Sequence, residues 1–323
     1  MMDNKKPRIL IMHSAGFTNE MVEMLRNEMP EADIVTVADN EEEIHGALDG
    51  INALIGCPRS LFGAEILKKT KSTLRWIHAS GAGCEEFLIP ELLESDVVLT
   101  NGRVIQGPEV ADHALALLLA LTRNLHYVLR GKTQDIPRPV ELRDKTAVIV
   151  GVGGVGMLVA ERLHASGMRV VGVDAEYLPM VRAVDQWYLP ERLHEALALA
   201  DAVVLCVPVT DRTRKMFGKK AFSAMQPSAY FVNVCRGVVV DTEILTEALR
   251  QGKIKAAGLD VTDPEPLPED HPLYSMPNVI ITPHRAGLSD HNRNRSFELV
   301  RQNVKRFVKG ESLINVVNKQ LGY

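Results

Sequence analysis

The chain has 323 residues, of which 46% are hydrophobic and 24% are charged, a composition typical of a globular protein rather than a disordered or fibrous one. At roughly 100–200 residues per domain, this length predicts two domains. Lysine and arginine (37) nearly balance aspartate and glutamate (41), so the net charge of −4 excludes a strongly basic nucleic-acid-binding surface. No apolar run approaches the roughly 20 residues that span a bilayer, and the first residues lack the apolar core of a signal peptide.

The cysteine pattern argues against metal and disulfide scaffolds. None of the four cysteines belongs to a CxxC pair, which disfavours a zinc ribbon or a thioredoxin-type centre. A disulfide framework is also not expected in a chain with so many core residues. We therefore expect reduced thiols, no metal site, no membrane partner and a cytoplasmic location.

In chain order, β-rich runs alternate with amphipathic helical patterns. Strands are predicted at Arg8–Met12, Asp33–Val37 and Ile51–Ile55, and the helices between them begin at Asn19 and Glu41. Such alternation predicts a parallel sheet that is covered by helices on both faces.

The middle of the chain begins a second series of the same kind. A long, nearly all-apolar helix is predicted over Glu109–Leu125, a pattern typical of a helix buried between layers. A new βαβ series then runs from Thr146 to Thr282. The remaining tail carries one helical pattern and is too short for a third domain, so we expect it to return to the first domain. The sequence thus predicts two doubly wound parallel-sheet α/β domains, with residues 102–286 inserted into a domain made of residues 1–101 and 287–323.

A dinucleotide-binding pattern opens this second series. The apolar run Thr146–Val150 leads directly into Gly-Val-Gly-Gly-Val-Gly at 151–156, a match to GxGxxG, and the next strand ends at Asp174. The glycines allow a tight turn and a close approach to pyrophosphate, while an acid roughly 20 residues further on binds the ribose. A glycine turn that only packs a helix on a sheet is the alternative. Asp174 would repel a 2′-phosphate, which favours NAD over NADP.

Four candidate site residues, an arginine, a histidine and two carboxylates, follow at or just beyond the predicted strand ends. Arg236, Asp260 and His284 each end a strand, and Glu265 lies in the Pro-rich loop beyond Asp260. Ligands of open α/β sheets bind at these carboxyl ends. Hydride reduction of a 2-oxo acid requires a cation for the carboxylate, an acid for the developing alkoxide, and a carboxylate that orients this acid. Arg236, His284 and Glu265 fit these three roles.

Simpler interpretations of the same residues stay open. Arg236 and Glu265 could be solvated charges on the surface, and Asp260 could cap the next turn. For Cys235, a small packing residue is favoured over a reactive thiol. Structural roles are also favoured for two histidines in apolar segments, His78 and His113.

Together the motifs resemble the D-isomer-specific 2-hydroxyacid dehydrogenase family over essentially the whole chain. The matching segments are the glycine motif with Asp174, and then Asn233–Gly237, Leu259–Pro266 and Thr282–His284. Val110–His113 and Gly81–Gly83 are weaker matches. The resemblance implies a Rossmann NAD-binding domain inserted into a flavodoxin-like substrate domain. It also implies NAD-dependent interconversion of a small 2-oxo acid and the D-2-hydroxy acid, in a homodimer joined through the cofactor domain.

The resemblance also implies a set of site residues. Arg236 would bind the substrate, His284 would be the acid/base and Glu265 would support it. Ala82 and Gly83 would offer backbone N–H groups to the substrate carboxylate. The residues implied at the cofactor are Gly151, Gly153, Gly154, Val155, Gly156, Asp174, Val207, Pro208, Thr213, Cys235, Asp260 and His284.

Three positions depart from the family pattern and leave the substrate open. Asp112 stands where Glu is usual, Cys235 where Ser, Thr or Ala is usual, and Arg285 where a smaller or apolar residue is usual. Two other functions stay as alternatives. One is an NAD(H)-sensing scaffold like the related transcriptional corepressors, and the other is a dehydrogenase of another small anion such as formate or phosphite.

Overall fold

A computed structural model describes residues 6–178 and 181–322. The chain divides into two compact units. The first unit comprises the chain up to Ile105 and again from Ser289 onward, and the second unit comprises Gln106–Leu288. The sequence analysis placed the corresponding boundaries at 101/102 and 286/287.

The first unit begins with a βαβα series. Its elements are β1 Arg8–Met12, α1 Asn19–Glu28, β2 Asp33–Val37, α2 Glu41–Ala47, β3 Ile51–Ile55, α3 Ala64–Thr70, β4 Trp76–Ala79, α4 Pro90–Leu93 and β5 Val98–Asn101. The strands form one sheet in the order β2-β1-β3-β4-β5, and every neighbouring pair is parallel. This order is that of flavodoxin-like folds. Two of the helices have N-cap residues, Thr18 for α1 and Asn40 for α2, whose side chains accept hydrogen bonds from backbone N–H groups of the first turn.

The second unit begins with helices and continues with seven strands. Its elements are α5 Gly107–Thr122, α6 Leu125–Leu129, β6 Thr146–Val150, α7 Gly154–Ala165, β7 Arg169–Val173, β8 Gln186–Tyr188, α8 Leu193–Leu197, β9 Ala202–Leu205, α9 Lys219–Ala224, β10 Tyr230–Asn233, α10 Thr242–Arg250, β11 Ala256–Leu259, α11 Pro272–Ser275 and β12 Val279–Ile281. All neighbouring strands are parallel, in the order β12-β11-β10-β9-β6-β7-β8. The order reverses between β9 and β6, which places a ligand-binding crevice at the carboxyl ends of these two strands.

One helix of the tail completes the first unit. Helix α12, Asn292–Lys309, buries Phe297, Val300 and Val304 in the same apolar cluster as Ile9 and Trp76. The predicted fold class, two doubly wound parallel-sheet domains with one inserted into the other, is confirmed. Within the part of the chain that the structure describes, no helix is both long and apolar enough to cross a bilayer.

The apolar helix before the glycine motif is shorter than predicted. Helix α5 ends at Thr122 rather than at Leu125, and a separate helix α6 follows. Asn124 stands between them with a left-handed φ of 59°, a conformation that Asn tolerates better than most residues. Its side-chain amide donates to the carbonyl of Pro137, which fixes the break. As expected, α5 is buried, and Ala111, Ala114, Leu117, Leu118 and Leu121 all lie in the core of the second unit.

Candidate active site

The glycine loop after β6 is held by contacts that only glycine permits. Gly151 has a φ of 91°, and a Cβ atom there would lie 2.8 Å from the backbone carbonyl of Cys206. A Cβ atom on Gly156 would lie 2.0 Å from the carbonyl oxygen of Gly151. Any larger side chain at either position would therefore push helix α7 or strand β9 away from the loop.

The same loop leaves the amino end of α7 open. Gly153 precedes the helix without a side-chain cap, and a Cβ atom on it would meet no atom within 4 Å. At the end of β7, Asp174 accepts hydrogen bonds from the N–H groups of Val152 (2.7 Å) and Glu176 (3.1 Å). A helix N-terminus with free N–H groups beside a fixed carboxylate is the arrangement that binds the pyrophosphate and ribose of a dinucleotide. The residues present therefore fit NAD.

The segment after β9 lies on the other side of the glycine loop. The position of a Cβ atom on Gly151 would be 2.9 Å from a methyl group of Val207. Further along, the hydroxyl of Thr213 donates to the carbonyl of Pro208 (2.7 Å) and accepts from the N–H of Thr210 (2.8 Å). The predicted cofactor residues Val207, Pro208 and Thr213 thus form one ordered turn beside the glycine loop.

Arg236 is held at the carboxyl end of β10 by Asn233. The buried Asn233 side chain accepts from the N–H of Cys235 and donates to the carbonyl of Arg236, both at 3.1 Å. The Arg236 guanidinium itself donates to the carbonyl of Cys235 (2.7 Å). Burial raises the pKa of the Cys235 thiol to about 11, so this thiol stays protonated near neutral pH. A small packing group therefore describes Cys235 better than a nucleophile does.

Gly237 joins the loop of Arg236 to the loop of Glu265. A Cβ atom on Gly237 would lie 1.8 Å from the carbonyl oxygen of Thr262, so the two backbones meet in contact that excludes a side chain. The N–H of Thr262 in turn donates to Glu265 Oε2 (3.3 Å). The contact brings the loop that carries the cation against the loop that carries the carboxylate.

Glu265 and His284 form a short side-chain hydrogen bond in the site. His284 Nδ1 lies 2.6 Å from Glu265 Oε1, and both side chains are partly exposed, at 45% and 42%. Because a carboxylate only accepts hydrogen bonds, Nδ1 is the donor and Nε2 is left for a substrate. His284 has a left-handed φ of 50°, which is uncommon for a residue other than glycine and is typical of functional sites.

Asp260 is the buried anchor of this region. Its Oδ1 accepts from the Thr282 hydroxyl (2.6 Å) and from the N–H of Arg285 (2.9 Å), and its Oδ2 accepts from the N–H of Ala286 (2.9 Å). His113 Nε2 on α5 lies 3.3 Å from the same Oδ1. Burial raises the pKa of Asp260, but the hydrogen bonds outweigh burial and hold this pKa at about 2, so the residue is an anion.

Ala82 and Gly83 lie in the first unit, in the loop after β4. The Asn101 side chain donates to the carbonyl of Ala82 (2.7 Å), and the Arg59 guanidinium donates to the carbonyl of Gly83 (3.1 Å). Their own N–H groups donate to no other residue within 6–178 and 181–322. The two accepted hydrogen bonds hold the loop in place, and the two available N–H groups could donate to a small anion.

Sequence reasoning assigned no site role to three residues that organise the second unit: Asn233, Thr282 and His113. Asn233 and Thr282 belong to the motifs that contain Arg236 and His284. Their positions at the ends of predicted strands could have identified them. His113 belongs to the weaker matching segment Val110–His113, but no local pattern showed its partners, because Thr282 and Asp260 lie far away in the chain.

Comparisons with known proteins show which family the chain belongs to. Residues 115–286 match the family model described as D-isomer specific 2-hydroxyacid dehydrogenase, NAD binding domain. The glyoxylate reductase of Korarchaeum cryptofilum is 32% identical over 280 residues, which cover 84% of this chain and 83% of that protein. The D-3-phosphoglycerate dehydrogenase of Methanocaldococcus jannaschii is 31% identical over 297 residues, which cover 90% of this chain and 56% of that protein.

A solved structure extends the similarity over both units. The D-isomer specific 2-hydroxyacid dehydrogenase of Xanthobacter autotrophicus Py2, crystallised with NADPH and MES, matches with a TM-score of 0.82 and 25% identity. The match covers 98% of this chain and 99% of that one.

Proposed function

Because this chain belongs to the D-isomer specific 2-hydroxyacid dehydrogenase family, we propose that it interconverts a small 2-oxo acid and the corresponding D-2-hydroxy acid through Arg236, His284 and Glu265. Membership makes it an NAD-dependent dehydrogenase of 2-hydroxy acids. The observation that carries the residue assignment is the 2.6 Å hydrogen bond between His284 and Glu265, in the unit that also holds the glycine loop.

Each side chain has one task in the reduction. Arg236 binds the substrate carboxylate with its planar pair of N–H donors and polarises the adjacent carbonyl. His284 donates its Nε2 proton to the oxygen as the alkoxide develops. Glu265 accepts from Nδ1, fixes the ring orientation and stabilises the imidazolium form that donates. NADH, when bound, supplies the hydride. In the oxidation, the proton returns to His284 Nε2.

The residues proposed to bind the cofactor all belong to the second unit. The glycine loop and the amino end of α7 would hold the pyrophosphate, and Asp174 would hold the adenosine ribose. Asp260 and the turn of Val207 and Pro208 would flank the nicotinamide half. In the first unit, the N–H groups of Ala82 and Gly83 would bind the substrate carboxylate.

A substrate panel tests the activity. Glyoxylate, hydroxypyruvate, pyruvate, phenylpyruvate, branched-chain 2-oxo acids and 3-phosphohydroxypyruvate are each mixed with NADH or NADPH, and absorbance of the reduced nicotinamide is followed. We expect turnover of at least one acid, with NADH preferred. No turnover with any acid would favour the NAD(H)-sensing scaffold.

Substitution of Arg236 tests the substrate contact. We expect Arg236→Ala to lower kcat/KM by about 100-fold or more, since one charged hydrogen-bonded contact contributes roughly 1.5–3 kcal/mol and carbonyl polarisation is lost as well. NAD⁺ affinity, measured by calorimetry, should not change. Arg250→Ala is the matched control, because Arg250 is an exposed arginine of the same unit paired with Glu247 (2.8 Å). Normal turnover of the Arg236 variant would refute the assignment.

The surface of α6 supports the expected homodimer. Leu125, Val128 and Leu129 are exposed there, and Leu129 is 85% accessible in the single chain. An apolar cluster of this kind on the cofactor-binding unit is suited to contact with a second copy. We expect light scattering to give a dimer for the wild type and a monomer for Val128→Lys/Leu129→Lys. A wild-type monomer would contradict the proposal.

A further inference from the structure

Three consecutive N–H groups, beginning with that of His284, donate to one residue, Asp260. The N–H of His284 donates to the carbonyl of Asp260, and those of Arg285 and Ala286 donate to its carboxylate, all at 2.9 Å. These three hydrogen bonds tie residues 284–286 to Asp260. The left-handed backbone of His284 is maintained by this anchor.

Asp260 is itself oriented from helix α5. His113 Nε2 lies 2.9 Å from the Thr282 hydroxyl oxygen and 3.3 Å from Asp260 Oδ1. The Thr282 hydroxyl lies 2.6 Å from the same Oδ1. His113 is partly buried, with a side chain that is 24% exposed, and Asp260 is almost completely buried.

The direction of these hydrogen bonds follows from counting protons. The carboxylate of Asp260 can only accept, so Thr282 gives its single hydroxyl proton to Oδ1. The Thr282 oxygen is then left as an acceptor, and Nε2 of His113 must carry the hydrogen that it receives. His113 therefore donates to Thr282, and Thr282 donates to Asp260 Oδ1. His113 Nε2 also lies 3.3 Å from the same Oδ1, so it contacts Asp260 directly as well as through Thr282.

We propose that His113 is a positioning residue, which orients Asp260 through Thr282 and thereby holds the segment 284–286 that carries His284. The inference rests on the proposed role of His284 as acid/base. His113 needs no contact with substrate or cofactor. Without His113, the Thr282 hydroxyl loses its donor and Asp260 Oδ1 loses the direct 3.3 Å contact, so we expect His284 to be fixed less firmly toward Glu265.

Kinetics of three variants test this role in the full-length protein. His113→Leu removes the donor, His113→Gln keeps an N–H donor, and His164→Leu is the matched control on the half-exposed end of α7. We expect His113→Leu to lower kcat about 10- to 100-fold with little change in KM for the 2-oxo acid, since small misplacements of a reacting group have effects of this size. The solvent deuterium isotope effect on kcat should increase, because proton transfer from His284 becomes slower. His113→Gln should recover most of kcat, and His164→Leu should behave as the wild type.

A double variant separates action through Thr282 from general loss of packing. If His113 acts through Thr282, then His113→Leu/Thr282→Val should lose no more kcat than the more impaired single variant. Independent losses that multiply would overturn the proposed order. A His113→Leu variant with normal kcat, or with low kcat, an unchanged isotope effect and no recovery by Gln, would overturn the positioning role.

Hydrogen exchange tests the anchor without any activity. In His113→Leu, the amides of Arg285 and Ala286 should exchange about 10-fold faster, while those of strand β11 keep their wild-type protection. Unchanged exchange at 285 and 286 would overturn the inference even in an active enzyme. If instead the wild type reduced no 2-oxo acid but exchange rose as expected, the proposed function would fail and the anchor would stand.

Discussion

At the scale of single residues, the proposed role of Glu265 has two parts, ring orientation and negative charge, which one substitution can separate. Glu265→Gln keeps an oxygen that accepts from His284 Nδ1, so the ring orientation is retained while the negative charge is lost. We expect kcat to fall about 10- to 100-fold, less than the roughly 100- to 10,000-fold fall for His284→Gln, which removes the proton donor itself. Steady-state rates of both variants measure the difference. Glu269→Gln, in the same exposed loop, is the control, and a full-rate Glu265→Gln enzyme would show that the charge is dispensable.

We expect cofactor choice to depend on Asp174. Its carboxylate stands at the end of β7, fixed by the N–H groups of Val152 and Glu176. Asp174→Ser keeps a hydrogen-bond acceptor but removes the charge that repels a 2′-phosphate. We expect the preference for NADH over NADPH in kcat/KM to fall by about 10-fold or more, the size of one charged hydrogen bond. Glu176→Gln removes a nearby exposed charge and should leave the preference unchanged. A wild type that already prefers NADPH would contradict the prediction.

At the scale of elements, strands β4 and β5 of the first unit share a buried polar cluster. The Thr100 hydroxyl oxygen lies 2.8 Å from both Trp76 Nε1 and His78 Nδ1. Burial lowers the pKa of His78 to about 4, and its Nε2 has no hydrogen-bond partner among the residues described. The native state therefore holds this imidazole neutral, as expected of a structural histidine.

The first unit should consequently lose stability in mild acid. The unfolded chain binds a proton at His78 below about pH 6.5, whereas the folded chain binds it only near pH 4. The contribution of neutral His78 to the free energy of unfolding is therefore fully present above about pH 6.5 and is lost as the pH falls toward 4. We expect His78→Asn to be less stable at pH 8 but to lack this part of the pH dependence, as measured by urea unfolding at several pH values. An identical slope in both proteins would refute the assignment.

The elements also show which parts of the fold could be predicted from sequence patterns. Apolar runs predicted the strands that precede Arg236, Asp260 and His284, because hydrophobic periodicity is visible in the local sequence. The carboxyl ends of parallel strands lie at one edge of a sheet, which predicted that these residues share that edge. The end of α5 was missed, since a left-handed Asn124 is stabilised by the distant Pro137. His113 was interpreted as structural because it lies in an apolar helix, and its partners Thr282 and Asp260, which lie far away in the chain, are not visible in that local pattern.

At the scale of the whole molecule, the two units carry one tryptophan each, and the chain has two in all. Trp76 lies in β4 of the first unit, and Trp187 lies in β8 of the second unit. Trp187→Phe therefore leaves a fluorescent reporter of the first unit alone, and Trp76→Phe leaves a reporter of the second. The unfolding of each unit can be followed in the full-length chain.

The two reporters should respond differently to the cofactor. NAD⁺ binds the folded second unit, so at 100 times its Kd it should stabilise that unit by about 2.7 kcal/mol. We expect the urea midpoint reported by Trp187 to rise with NAD⁺ while the midpoint reported by Trp76 stays in place. Asp174→Ser serves as the control, because weaker binding should reduce the rise at Trp187 in proportion. An equal rise at both tryptophans would mean that the chain unfolds as one cooperative body, and no rise at Trp187 would place the cofactor outside Gln106–Leu288.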